Sequence, residues 1–161
     1  MSKKRYLFHG TTKDGKDSII ENGIKLDVNN GKQDFAPGFY LTPNKGLARS
    51  RKKHNSAILA YTIDTKDLKV KSYPSMTREW KEEVLQQRAY GNDVSKDFDC
   101  VVGPIADSAV GAYAEALASG DVTKNEFFDT IVNDDWKNRI QFVIKSQKAV
   151  DKLVRKEDAE K

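Results

Sequence analysis

Three short stretches of the chain carry side chains that could serve a ligand cleft. The first is His9-Gly10-Thr11, directly after Leu7-Phe8. A histidine at a strand end reaches into a cleft, and a glycine lets a ligand come close to the backbone. The second is Asp34-Phe35-Ala36-Pro37-Gly38-Phe39-Tyr40-Leu41-Thr42. Three aromatics around a glycine suit a flat ligand, above all a cationic ring. The third is Arg139-Ile140-Gln141-Phe142-Val143-Ile144-Lys145-Ser146. On a strand, Gln141, Val143 and Lys145 share one face and Phe142 and Ile144 the other. Gln141 can then turn its carboxamide into a cleft near the strand's start. Bland readings stand beside these: a structural His9, and Phe39 and Leu41 filling a core with Tyr40 at its rim.

The elements that must position these residues follow from periodicity and punctuation. Arg5–Phe8 reads as a short strand ending at His9-Gly10. Asp17–Asn22 reads as a helix stopped by Gly23. Asp27–Gly38 is a polar, turn-rich loop, and Phe39–Thr42 a strand. Pro43-Asn44 opens a basic helix to about His54. Ala57–Ile63 and Leu68–Ser72 read as strands, and Thr77–Tyr90 as a helix. Phe98–Val102 is an apolar run suited to a buried strand, ended by a Gly103-Pro104 turn. Val110–Ala118 is an Ala-rich helix. Thr123 and Glu126 have the capping-box spacing for a helix running to about Val132. Ile140–Lys145 is a strand, Gln147–Arg155 a closing helix, and Lys156–Lys161 a charged tail expected to fray. Strands and helices are interspersed without regular βαβ spacing, so the class is α+β.

A length of 161 residues fits one domain with a real core. Fifteen aromatics argue against a disordered chain, and ten Gly with four Pro exclude a collagen-like or Pro-rich polymer. No apolar run is long enough to span a bilayer, and the start around Lys3-Lys4-Arg5 lacks a signal-peptide core. One cysteine, Cys100, excludes an intrachain disulfide and a four-cysteine zinc site. A cytoplasmic protein is the expectation, with no metal and no membrane partner. The net charge of +4 is unevenly placed: residues 1–80 carry +8 and residues 81–161 carry −4. A solvated lysine-rich surface accounts for this, and so does a basic face that meets an anionic partner.

The order of the motifs resembles the ADP-ribosyltransferase superfamily, in its diphtheria-toxin and poly-ADP-ribose-polymerase branch with a His–Tyr–Glu signature. The residues that carry the resemblance are Leu7-Phe8-His9-Gly10-Thr11, Ile19-Ile20 with Gly23-Ile24, Gly38-Phe39-Tyr40-Leu41, Ala48, and the final strand from Gln141. More closely, the chain resembles a bacterial and phage group of that fold. That group has a helix like Trp80…Val84…Gln87-Arg88, a strand and turn like Phe98–Asp107, and a Gln-initiated last strand. The likeness covers roughly residues 5–154. It implies one domain with a split, mostly antiparallel sheet core and flanking helices.

The resemblance also implies an NAD⁺ site and transfer of ADP-ribose to a macromolecule with release of nicotinamide. Gly10 would meet the nicotinamide carboxamide through its backbone, His9 a ribose hydroxyl, and Tyr40 the nicotinamide ring. Thr11, Phe39 and Thr42 would complete the cofactor site. Gln141 stands where the branch has its glutamate. An amide can hydrogen-bond a ribose hydroxyl but cannot act as the general base. Asp34 and Asp107 are the alternative bases. Arg88 lies within about 80° of Trp80 on the helical wheel, inside the apolar arc. It either pairs with an acid such as Asp99 or reaches the cleft to clamp the pyrophosphate.

Arg49, Arg51, Lys52 and Lys53 follow the Tyr40 strand and would steer an anionic target, so nucleic acid and protein stand even as acceptors. A toxin or effector role, with a neutralising antitoxin protein, is a family implication. Two rivals remain. An RNA 2′-phosphotransferase would carry a second histidine where this chain has Tyr40. A non-catalytic NAD⁺- or nucleic-acid-binding module is compatible with Gln141.

Overall fold

A computed structural model describes residues 5–26, 33–35, 37–50 and 56–161. Strand β1 (Leu7–Thr12) passes directly into helix α1 (Lys13–Asn22). Thr12 ends the one and caps the other, its hydroxyl accepting from the Gly15 N–H. That cap, and not the apolar pair Ile19-Ile20, sets the helix start, so α1 begins at Lys13 and not at Asp17. Gly23 closes α1 at a φ of 84°, its N–H bonded to the Ile19 carbonyl.

Strand β2 (Phe39–Leu41) and helix α2 (Lys45–Ser50) follow. The Asn44 side chain caps α2 by accepting from the Leu47 N–H. The expected continuation of α2 to His54 lies outside the described residues. Next come β3 (Ser56–Ile63), β4 (Val70–Ser72) and α3 (Arg78–Tyr90). Thr77 caps α3, and Gly91 ends it in the left-handed conformation. Then come β5 (Cys100–Pro104), α4 (Val110–Ala118) and α5 (Lys124–Thr130). Thr123 and Glu126 form both hydrogen bonds of the expected capping box. The last elements are β6 (Ile140–Ile144), α6 (Gln147–Val150) and β7 (Leu153–Arg155).

The fold is mixed α+β with two sheets. One has the order β1-β3-β7 and the other β2-β6-β5-β4. All described pairings are antiparallel except β4 with β5. Three sequence expectations change here. β1 does not stop at His9-Gly10, because β3 supplies a partner for every residue through Thr12. β5 runs through Gly103-Pro104, paired with Gln141 and Ile140. A proline lacks a donor, and it fits here because β4 pairs with β5 only as far as Val102, which leaves that edge open at Pro104. The segment 147–155 is a short helix followed by β7, which pairs with Tyr61–Ile63 on the open edge of β3.

Packing is layered. Helices α3, α4 and α5 cover the outer face of the second sheet, with Trp80, Val84, Phe127 and Ile131 set against Val101 and Val143. Leu7, Leu59 and Tyr61 of the first sheet pack against Phe39, Leu41 and Ile144 of the second. On the far face of the first sheet, Ala48 of α2 joins Phe8, Ile58 and Ala60.

The charged tail is anchored, contrary to expectation. The Lys156 N–H bonds the Ala60 carbonyl at 2.8 Å. One Glu160 carboxylate oxygen accepts from the Ala60 N–H at 3.0 Å, so the tail continues the β3 ladder beyond β7. Glu160 also takes Arg155 and Lys16, with its side chain 5% exposed. Burial alone would raise its pKa. The bonds from Arg155, Ala60 and Lys16 outweigh burial and hold the carboxyl down to about 2 from an ordinary 4.5. A depressed acid stabilises the fold above its unfolded pKa and loses that contribution as pH falls through the folded value. Glu160→Gln should therefore cost roughly 3 kcal/mol at neutral pH. In urea unfolding, the gap to wild type should close between pH 4.5 and about 2. Unfolding curves that stay parallel across that window would show the anchor to be inert.

Candidate active site

The site exists because the two sheets touch at one rung and then part. Phe8 of β1 and Thr42 after β2 exchange both backbone hydrogen bonds, at 2.7 and 2.9 Å. Continued in register, the next pairs would be His9 with Leu41 and Gly10 with Tyr40. They do not form; β2 is laddered to β6 on its other side, and the edge that faces β1 opens. The His9 ring bridges the opening gap, its Nδ1–H donating to the Tyr40 carbonyl at 2.8 Å. That bond fixes the tautomer, so in the neutral ring Nε2 is the acceptor nitrogen. Phe39 stacks on His9 at 4.2 Å between centroids and meets Tyr61 edge-on. That hydrogen bond and that ring face both orient the imidazole.

Two adjoining cavities lie in the cleft. The narrow one, about 50 Å³, is lined among others by His9, Gly10, Tyr40, Thr42, Ala48 and Gln141. The wider one, about 330 Å³, takes in His9, Thr11, Ser18, Lys25, Gln33 and Tyr40. His9 and Tyr40 border both. Residues drawn from β1, β2 and β6, far apart in sequence, meet here. The face assignment for β6 holds as well: Val143 packs with the helix-side core, and Phe142 and Ile144 with the inter-sheet core.

Tyr40 is held by its hydroxyl oxygen, which accepts from the Phe35 N–H at 3.0 Å. Burial drives the phenol strongly upward. The Phe35 bond and the Arg88 charge pull the other way without offsetting it. The ring therefore stays uncharged while Tyr40 borders both cavities. Gly10 is dictated by packing as well as by the cleft. A Cβ there would sit 1.8 Å from the Ala48 carbonyl oxygen, inside the backbone of α2.

Gln141 is 3% exposed and borders the narrow cavity. Its Nε2 donates to Asp34 Oδ2 at 3.0 Å and to the Pro104 carbonyl at 3.1 Å. That carbonyl also receives the Trp80 indole N–H at 2.9 Å, so both its lone pairs are engaged. Asp34, 2% exposed, further accepts from the Ala106 N–H at 2.8 Å and from Arg88 Nε at 2.9 Å. Asp34 and Arg88 therefore stand behind Gln141 and do not line either cavity. Asp99, the acid first considered for Arg88, instead accepts from the Lys69 N–H and the Ser146 hydroxyl. Asp107 caps the turn into α4 through the Ala109 N–H and receives Asn133, away from both cavities. Arg49 is exposed on α2. Arg51, Lys52 and Lys53 lie outside the described residues.

Sequence reasoning passed over Ser18, Lys25 and Gln33 in the wide cavity and Ile105 in the narrow one. Gln33 carries the clearest structural mark. Its Oε1 is buried with no hydrogen-bond partner among the described residues. In sequence it sat unmarked within the turn-rich loop Asp27–Gly38.

A family model described as a protein of unknown function (DUF3990) matches residues 6–154. The chain belongs to the DUF3990 family. No curated protein matches it. Both cavities, and every residue that borders them, fall within the DUF3990 match. No helix among the described residues is long and apolar enough to cross a membrane.

Proposed function

We propose that this DUF3990 domain is an NAD⁺-dependent mono-ADP-ribosyltransferase of the ADP-ribosyltransferase fold, with Gln141 at the third position of a His–Tyr–Glu plan. One observation carries the reading. His9 and Gly10 of β1, Tyr40 of β2, Thr42 just after it and Gln141 of β6 line one narrow cavity. Two more fit a dinucleotide. The adjoining cavity of about 330 Å³ is of small-molecule size. Gln33 borders it with a buried oxygen that has no partner among the described residues and that a ligand N–H or O–H could satisfy.

The chemistry follows from the wall. Cleaving the nicotinamide–ribose bond builds positive charge on the sugar, as in glycoside hydrolysis. Tyr40 presents an aromatic face to the cationic ring before cleavage. Gln141 presents an amide oxygen that accepts from a ribose hydroxyl and orients the sugar for attack by the acceptor. Released nicotinamide carries away the bonding electron pair, the acceptor's nucleophile forms the new bond to the ribose carbon, and its proton passes to solvent.

Neither cavity is bordered by a carboxylate among the described residues. That favours a second reading, a module that binds NAD⁺ without cleaving it. A role as a cytoplasmic toxin or effector, countered by an antitoxin protein, belongs to the first reading. Incubation with NAD⁺ labelled in its adenine, plus mixed protein, RNA and DNA, separates the two. The transferase leaves label on one acceptor class and releases nicotinamide. Tyr40→Ala should slow that release about tenfold or more, the scale of a buried cation–π contact. Binding with no nicotinamide release would establish the module instead.

A further inference from the structure

We infer that Asp34, clamped by Arg88, is a positioning residue that sets the polarity of the narrow cavity through Gln141. It takes an amide hydrogen of Gln141, so that only the amide's carbonyl oxygen faces the ligand. Part of this inference, the ligand's identity, rests on the transferase reading. The polarity itself rests on geometry.

Gln141 Nε2 sits between two groups that can only accept, the Asp34 carboxylate at 3.0 Å and the Pro104 carbonyl at 3.1 Å. A flipped amide would turn its own oxygen on both of them, so the orientation is fixed. Both amide hydrogens are used, and Oε1 is the polar atom left toward the cavity that Gln141 borders. Asp34 cannot swing away. Its Oδ1 is held by Arg88 Nε at 2.9 Å and its Oδ2 by the Ala106 N–H at 2.8 Å. The anchoring continues outward, since Trp80 fixes the Pro104 carbonyl at 2.9 Å.

Glutamine is therefore the residue this frame calls for. A glutamate at 141 would bring a second carboxylate to about 3 Å from Asp34, facing a carbonyl and no donor. The negative charge of the site sits one layer back, neutralised by Arg88. What the ligand meets is an uncharged acceptor, which selects a group that donates, such as a sugar hydroxyl.

The test uses wild type, Gln141→Glu, Asp34→Asn and the double exchange Asp34→Asn/Gln141→Glu. Melting temperature, NAD⁺ binding by calorimetry, and kcat and KM for nicotinamide release are measured for each. Gln141→Glu should lower the melting temperature and weaken NAD⁺ binding at least tenfold. The exchange should recover at least half of both losses, because it restores one amide opposite one carboxylate. Recovery is incomplete because the Ala106 N–H loses an acceptor, the Pro104 carbonyl loses the amide donor, and Arg88 faces an amide in place of a carboxylate. Asp34→Asn frees the amide to flip, so KM should rise at least threefold more than kcat falls. A purely structural role would lower apparent kcat with the folded fraction and leave KM alone.

Gln141→Glu behaving as wild type, or an exchange no better than the worse single variant, overturns the inference. Should Gln141→Glu not fold, folding of the exchange variant decides the same question. If no variant, wild type included, binds NAD⁺ or releases nicotinamide, the transferase reading fails alone. The melting comparison still judges the positioning of Gln141.

Discussion

Arg88→Met should cost the fold about 3–5 kcal/mol in urea unfolding, the toll of leaving a buried charge without its partner. Methionine preserves most of the packing of the arginine stem, so the loss isolates the guanidinium. Asp34 is 2% exposed at its side chain and Arg88 15%, so water cannot replace the bond. Removing the charge as well, in Asp34→Asn/Arg88→Met, should return a large part of the stability, because no ion is then stranded. Arg78→Met is the matched control. Its pair with Glu82 spans 3.9 Å with the arginine 75% exposed, and its loss should be barely measurable. If Arg88→Met instead left stability intact and abolished NAD⁺ binding, the guanidinium would be a ligand clamp after all.

Arg88 also shows where sequence reasoning stops. Its place on the wheel announced a cation on an apolar arc. The wheel could not say which acid would meet it. Asp99 lies closer in sequence, but backbone and hydroxyl donors from Lys69 and Ser146 engage it first. Asp34 reaches Arg88 because its neighbour Phe35 packs against Trp80 and Val84 of α3, a consequence of tertiary packing. The Gln141–Asp34 bond spans 107 residues and the Glu160–Ala60 bond 100. Neither leaves a local trace in composition or period.

Features with local causes were legible. The stop at Gly23, the extent of the helix to Tyr90, the capping box at Thr123 and the Val110–Ala118 helix each depend on a few neighbouring residues. So does the alternation along β6, which assigned Gln141 and Val143 to one face. Elements that exist to complete something distant were misread. β7 looks helical in isolation and is a strand because β3 has an open edge. The tail looks frayed and is held because Glu160 fits that same edge. At the site, the three motifs carried the right residue types. Their convergence came from the parting of β1 and β2 after one rung, which no single segment encodes.

Gly10→Ala should be the most damaging single change in the cleft, lowering stability by about 3 kcal/mol or more and emptying the site of function together. A new Cβ would lie 1.8 Å from the Ala48 carbonyl oxygen and 2.7 Å from its carbon. Contacts that short do not persist, so either β1 or α2 must move by more than an ångström. Neither moves alone. β1 is paired along its length with β3, and α2 is seated by Ala48 against Phe8, Ile58 and Ala60. The obstacle is main chain, so trimming the neighbour in Gly10→Ala/Ala48→Gly should rescue nothing. A rescue would mean that the Ala48 methyl, and not its carbonyl, sets the distance. Displacing α2 also draws Ala48 away from the narrow cavity that it shares with His9, Tyr40 and Gln141. Nicotinamide release should therefore fall further than the folded fraction measured by thermal denaturation. A variant as stable as wild type that lost only NAD⁺ binding would move Gly10 from a packing role to direct contact with the ligand.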